Sequence, residues 1–294
     1  MDEKENKSMR DDEYEALQKK YDDLAHEYLR RKYEIVDAKR AELEELREQY
    51  EFDRLSIQKP LKAEKYRRKM ERKKLHRKLN EPPKRNLLEE IGNAVTHGVG
   101  AAIGIVCLVL MILKATDGFS MTAAIVYGTC FFLQMLFSCL YHSFRAGTTV
   151  KRIFRRFDYS SIYLAIGGTF APLYLIYMSN KMWGLPAGLT FFIIQWALIA
   201  TGITFIGVFG PGRLRWLHFT LYFAIGWSAI MFIPTWIQND LPLFLWVITG
   251  GVTYTVGMIP FAALRRKPVA HFIWHIFVLA GSVLMWVGIY LFVF

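Results

Sequence analysis

From position 91 to the C-terminus, long apolar runs alternate with short polar connections, and the runs are almost free of charge. A helix needs about 20 predominantly apolar residues to cross a hydrocarbon core at 1.5 Å per residue. Seven runs qualify, near 91–113, 121–144, 159–178, 183–209, 214–237, 241–264 and 269–294. The pattern predicts an all-α integral membrane protein, a bundle of seven transmembrane helices. The N-terminal part reads differently. Residues 11–58 are charged and lack Gly and Pro, with apolar positions Tyr14, Leu17, Tyr21, Leu24 and Tyr28 at spacings of three and four. A second row, Val36, Leu43, Leu46, Tyr50 and Ile57, is shifted in phase. This predicts a long charged helical extension. Its apolar row either lies on a solvated helix or pairs as a short coiled coil, which would make it a route to an oligomer or a protein partner. Pro82-Pro83 interrupts the helix, so the expected division is a cytoplasmic helical extension at 1–85 and a membrane domain at 86–294.

Charge sharpens this division. The chain has a formal net charge of +11, yet residues 1–90 hold 25 of its 37 Lys/Arg and 23 of its 26 Asp/Glu. Residues 59–85 carry thirteen bases against three acids directly before the first span. Next to a membrane and without a recognised nucleic-acid fold, this stretch is expected to face anionic lipid, and no nucleic-acid partner is expected. The connections alternate as well. Those after the second, fourth and sixth runs hold Arg145, Lys151, Arg152, Arg155 and Arg156, then Arg213 and Arg215, then Arg265, Arg266 and Lys267. The other connections hold only Lys114 and Lys181. The positive-inside rule then puts the N-terminus in the cytoplasm and the C-terminus on the extracellular or lumenal side. Cys107, Cys130 and Cys139 all lie in apolar runs and read as packing residues.

Polar residues within apolar runs are expensive and call for a partner or a function. His271 and His275 open the seventh run at i and i+4, on one helix face. They form either half of a tetrahedral metal site or an interfacial pair bonded to neighbouring helices. The expected orientation brings other polar residues to the same depth. Ser138 and His142 end the second run, Asp158 starts the third, and Glu90, Asn93 and His97 share a face at the start of the first. Three imidazoles, those of His142, His271 and His275, suit a zinc ion with its fourth position left to water. Asp158 is placed to hold that water or take its proton, and Ser138 to orient it. Glu90, Asn93 and His97 read as supporting residues. His97 either braces the site or is a helix-start histidine bonded to a carboxylate. His218, at the inner end of the fifth run, is expected at the interface.

At these residues the chain resembles the hemolysin III family and its relatives, the progestin and adipoQ receptors, which include the adiponectin receptors. The matching blocks are E-x-x-N-x-x-x-H (Glu90, Asn93, His97), S-x-x-x-H (Ser138, His142), DYSSIYLAIGGTFAPLYL from Asp158, and H-x-x-x-H (His271, His275). The resemblance covers about residues 87–294, and the long extension lies outside it. It implies seven helices, zinc held by the three histidines, a water contacted by the aspartate, and kinship with predicted membrane hydrolases, some of them ceramidase-like. The expected function is hydrolysis of an amide in a membrane lipid such as a ceramide, with Asp158 and Ser138 catalytic. The rival is a signalling receptor or scaffold whose zinc is structural. A pore former fits poorly, because no span carries a line of charges able to wet a channel.

Overall fold

The computed structural model describes residues 2–83, 85–263 and 269–294, and the described residues contain helices and no strands. Arg265, Arg266 and Lys267, read above as an inner basic connection, lie outside them, as do the side chains of Tyr14, Leu17 and Tyr21. The chain divides into two compact units, Met1–Leu75 and His76–Phe294.

The first unit contains α1 (Asp2–Gln58) and most of α2 (Pro60–Asn80). Pro60 stands at the first position of α2, where its missing N–H has no helical partner to lose. Lys73 pairs with Glu44 and Glu48, and Lys74 with Glu45, so α2 folds back along α1. Exposed pairs of this kind are worth only about 0–1 kcal/mol each. The apolar row Val36, Leu43, Leu46, Tyr50 and Ile57 is exposed.

Among the described residues the second unit holds seven helices long and apolar enough to span a membrane: α3 (Leu87–Lys114), α4 (Gly118–Ser143), α5 (Thr149–Lys181), α6 (Leu185–Phe209), α7 (Arg215–Asn239), α8 (Leu241–Ala263) and α9 (Val269–Phe292). Local sequence explains several of their starts. Asn86 accepts from the Glu89 amide and Thr148 from the Lys151 amide. Asp117 and Ser120 form a reciprocal capping box, and the amides of Ser120 and Phe119 hold the Asp117 carboxyl below its usual range.

The third span departs from expectation. Apolar patterning starts it near 159, but the helix begins at Thr149, because the Thr148 cap nucleates it and its basic first turns stay helical. Asp158 therefore lies in the third turn and not at the helix start. At its far end α5 passes through a π-helical segment, Leu173–Met178, just after Pro172, a residue with no N–H to give the α-helical ladder. Lys181 and Tyr177 then reach Asp240 in the connection before α8. Partial burial pushes the Asp240 carboxyl up, but these two hydrogen bonds outweigh it and leave the group below its ordinary value.

With lipid around them, the helices gain little from apolar burial alone and depend on close backbone approach and packing. α3 and α4 meet through glycines. A Cβ on Gly128 would lie 2.5 Å from the Leu108 Cβ and 2.7 Å from its Cα, and one on Gly104 would lie 3.0 Å from the Phe132 Cα. Gly128→Val is accordingly expected to force the pair apart and to destabilise the protein by about 1–3 kcal/mol, the usual range for overpacking. The thermal midpoint in detergent measures this, and an unchanged midpoint would contradict the close approach. The tight α3–α4 contact matters to function because the site described next draws residues from both helices.

Candidate metal centre

Three histidines converge at one end of the bundle. His271 and His275 project from the first turns of α9, and His142 comes from the last turn of α4. The Nε2 atoms of His275 and His271 are 3.0 Å apart, and those of His271 and His142 are 3.3 Å apart. The three ligand atoms all lie within 4.8 Å of one another. Two nitrogens bound at the usual zinc distance in a tetrahedral shell would be separated by about 3.3 Å, so the cluster has the dimensions of one ion's coordination sphere. His142 and His275 are buried, and His271 is half-buried.

The rest of the predicted set surrounds this cluster. Glu90, from the first turn of α3, accepts a hydrogen bond from His142 Nδ1 at 2.6 Å. Asn93 approaches the same nitrogen at 3.4 Å. The His97 ring packs tilted against that of His275 with ring centroids 4.0 Å apart, and its Nε2 lies 3.4 Å from the His275 carbonyl oxygen. Ser138 lies beside the Asp158 side chain. His97, Ser138, Asp158, His271 and His275 all line one cavity of about 260 Å³. The structure thus brings all eight sequence-derived residues into a single neighbourhood.

Beyond the polar cluster the cavity wall is mainly apolar and aromatic, through Phe170, Trp236, Phe244 and Met285. A 3-10 segment of α7, Trp227–Phe232, runs along it, with Trp227, Ala229 and Ile230 in the lining. Irregular backbone at membrane depth is tolerated where it borders protein or a cavity in this way.

One feature escaped the sequence reading. Lys151 counted there only as one of five bases marking the inner side. It is in fact buried, and its Nζ donates to Glu90 Oε1 at 2.7 Å. Leaving one member of such a buried pair without the other typically costs about 3–5 kcal/mol. A signal existed, because Lys151 and Asp158 are seven residues apart and so share a face of α5, but it is visible only once the helix is known to start at Thr149. His218, expected at the interface, lies in the first turn of α7, buried and hydrogen-bonded to Tyr163 of α5 through Nδ1 at 3.0 Å.

A family model described as Haemolysin-III related matches residues 85–286. The chain is 37% identical over 201 residues to Hemolysin-3 of Bacillus cereus, covering 67% of this chain and 88% of the relative. It is 34% identical over 201 residues to the Hemolysin-3 homolog of Bacillus subtilis, covering 67% and 91%. A more distant relative, monocyte to macrophage differentiation factor of Homo sapiens, is 23% identical over 206 residues, covering 69% and 83%.

Proposed function

The chain belongs to the Haemolysin-III related family, and from that premise and the chemistry of its site we propose that it is a zinc-dependent hydrolase of lipid amides, ceramide-like in substrate. The observation that carries this reading is the shared cavity, which holds the polar cluster and is otherwise mainly apolar. Along α9 its lining runs from His271 to Met285, fourteen residues or about 21 Å of helix, which suits an extended acyl chain with its amide at the histidine end.

His142, His271 and His275 would hold the ion through their Nε2 atoms as neutral rings. Bound zinc supplies Lewis acidity and makes a water nucleophilic near neutral pH. The Asp158 carboxylate takes the proton from the attacking water and returns it to the leaving amine nitrogen, so that a free acid and an amine are released. Ser138, beside that carboxylate in the cavity lining, would orient it. The apolar wall seats the acyl chain and excludes bulk water.

The reading is tested by turnover of a fluorescent ceramide with purified protein of measured zinc content. Zinc-dependent release of fatty acid supports it. Stoichiometric zinc without turnover on any lipid amide favours the rival, a signalling receptor or scaffold whose zinc is structural and whose extension recruits partners.

The orientation proposed with this function puts the N-terminus and the histidine end of the bundle in the cytoplasm. In sealed cells an impermeant protease is expected to spare the basic stretch 59–85 while reaching a tag placed after Phe294. Cleavage of both, or of the basic stretch alone, would reject it.

A further inference from the structure

We propose that Lys151 is a positioning residue for the three-histidine centre, acting on His142 through the Glu90 carboxylate. The inference rests on the metal part of the proposed function and is independent of the reaction. Glu90 bridges two elements: Oε1 receives the Lys151 amine at 2.7 Å, and Oε2 receives His142 Nδ1–H at 2.6 Å. With one oxygen held by a cation, the carboxylate cannot turn away from the imidazole. It therefore keeps the proton of His142 on Nδ1 and leaves the lone pair on Nε2, the atom that faces His271 Nε2. Lys151 is itself confined, fully buried with its Nζ 4.9 Å from the centroid of the Tyr141 ring. That ring packs edge-on against His142 at 4.6 Å, so amine, carboxylate, phenol and imidazole hold one another. His275 has no such support, since its Nδ1 is buried without a hydrogen-bond partner among the described residues.

A lysine that merely tied α5 to α3 would affect stability, but not the zinc affinity of the protein that remains folded. The test is the zinc dissociation constant, measured by chelator competition on full-length protein in detergent, with folding checked by size exclusion. Wild type, Lys151→Met, Glu90→Gln and the double variant are compared. Each single variant is expected to weaken zinc binding about 10-fold or more, the usual effect of losing a partner behind a ligating histidine. The double variant should bind no more weakly than Glu90→Gln alone, because the hydrogen-bonded path from Lys151 to His142 runs through the Glu90 carboxylate. An unchanged constant in Lys151→Met, or losses that multiply in the double variant, would overturn the proposal. Where Lys151→Met alone does not fold, Glu90→Gln against the double variant decides in the same way: equal constants support the relay and a further loss overturns it. Wild-type protein that binds no zinc would remove the metal reading together with this one, whereas wild-type binding unmoved by the variants would remove this one alone.

Discussion

Purified protein carrying His142→Ala, His271→Ala or His275→Ala is expected to retain far less than one zinc per chain. The three Nε2 atoms form an open site with no fourth protein ligand among the described residues, so each histidine is a third of what the chain offers. Zinc binding worth about 10–16 kcal/mol over four ligands amounts to roughly 3 kcal/mol for each, or about two orders of magnitude in Kd. His218→Ala is the matched control. Its ring is buried and bonded to Tyr163, apart from the three histidines, so that variant should keep its zinc even if it loses stability. Metal analysis of monodisperse protein makes the measurement. Stoichiometric zinc in all three folded variants would mean that the cluster is not the site.

Asp158→Asn is expected to keep zinc and lose turnover. The substitution preserves size and the contact with Ser138, but an amide cannot accept the proton of an attacking water. Losing a positioned general base typically lowers the rate by about 10²- to 10⁴-fold. Fatty-acid release from a fluorescent ceramide, set beside zinc content, separates three outcomes. Lost turnover with zinc retained fits the proposed role. Lost zinc makes Asp158 a ligand, and unimpaired turnover assigns the proton transfer to another group.

Much of the site could be read before any coordinates, for one physical reason. Ionisable groups in apolar runs are so costly that few occur without purpose, and His142, Asp158, His271 and His275 stood out against their neighbours. Lys151 did not. It sat among Arg145, Arg152, Arg155 and Arg156 in a connection already explained by topology, where one base looks like another. Only its burial against Glu90, 61 positions away, marks it as different. The start of the third span was misjudged by ten residues for a related reason: hydropathy locates apolar windows, while a helix begins where its cap is, here at Thr148.

The sequence by itself determined the class of the molecule, the number of spans and the identity of the metal-ligand candidates, because lipid applies the same test to every residue of a span and composition answers it locally. The tertiary structure decided which polar groups meet. The glycine-mediated approach of α3 to α4 and the early start of α5 bring Glu90, His142 and Lys151 to one point. The 3-10 turn of α7 leaves room for a cavity that begins at the histidines and continues into the apolar interior. Such meetings depend on helix crossings between residues far apart in the chain, which no local pattern encodes.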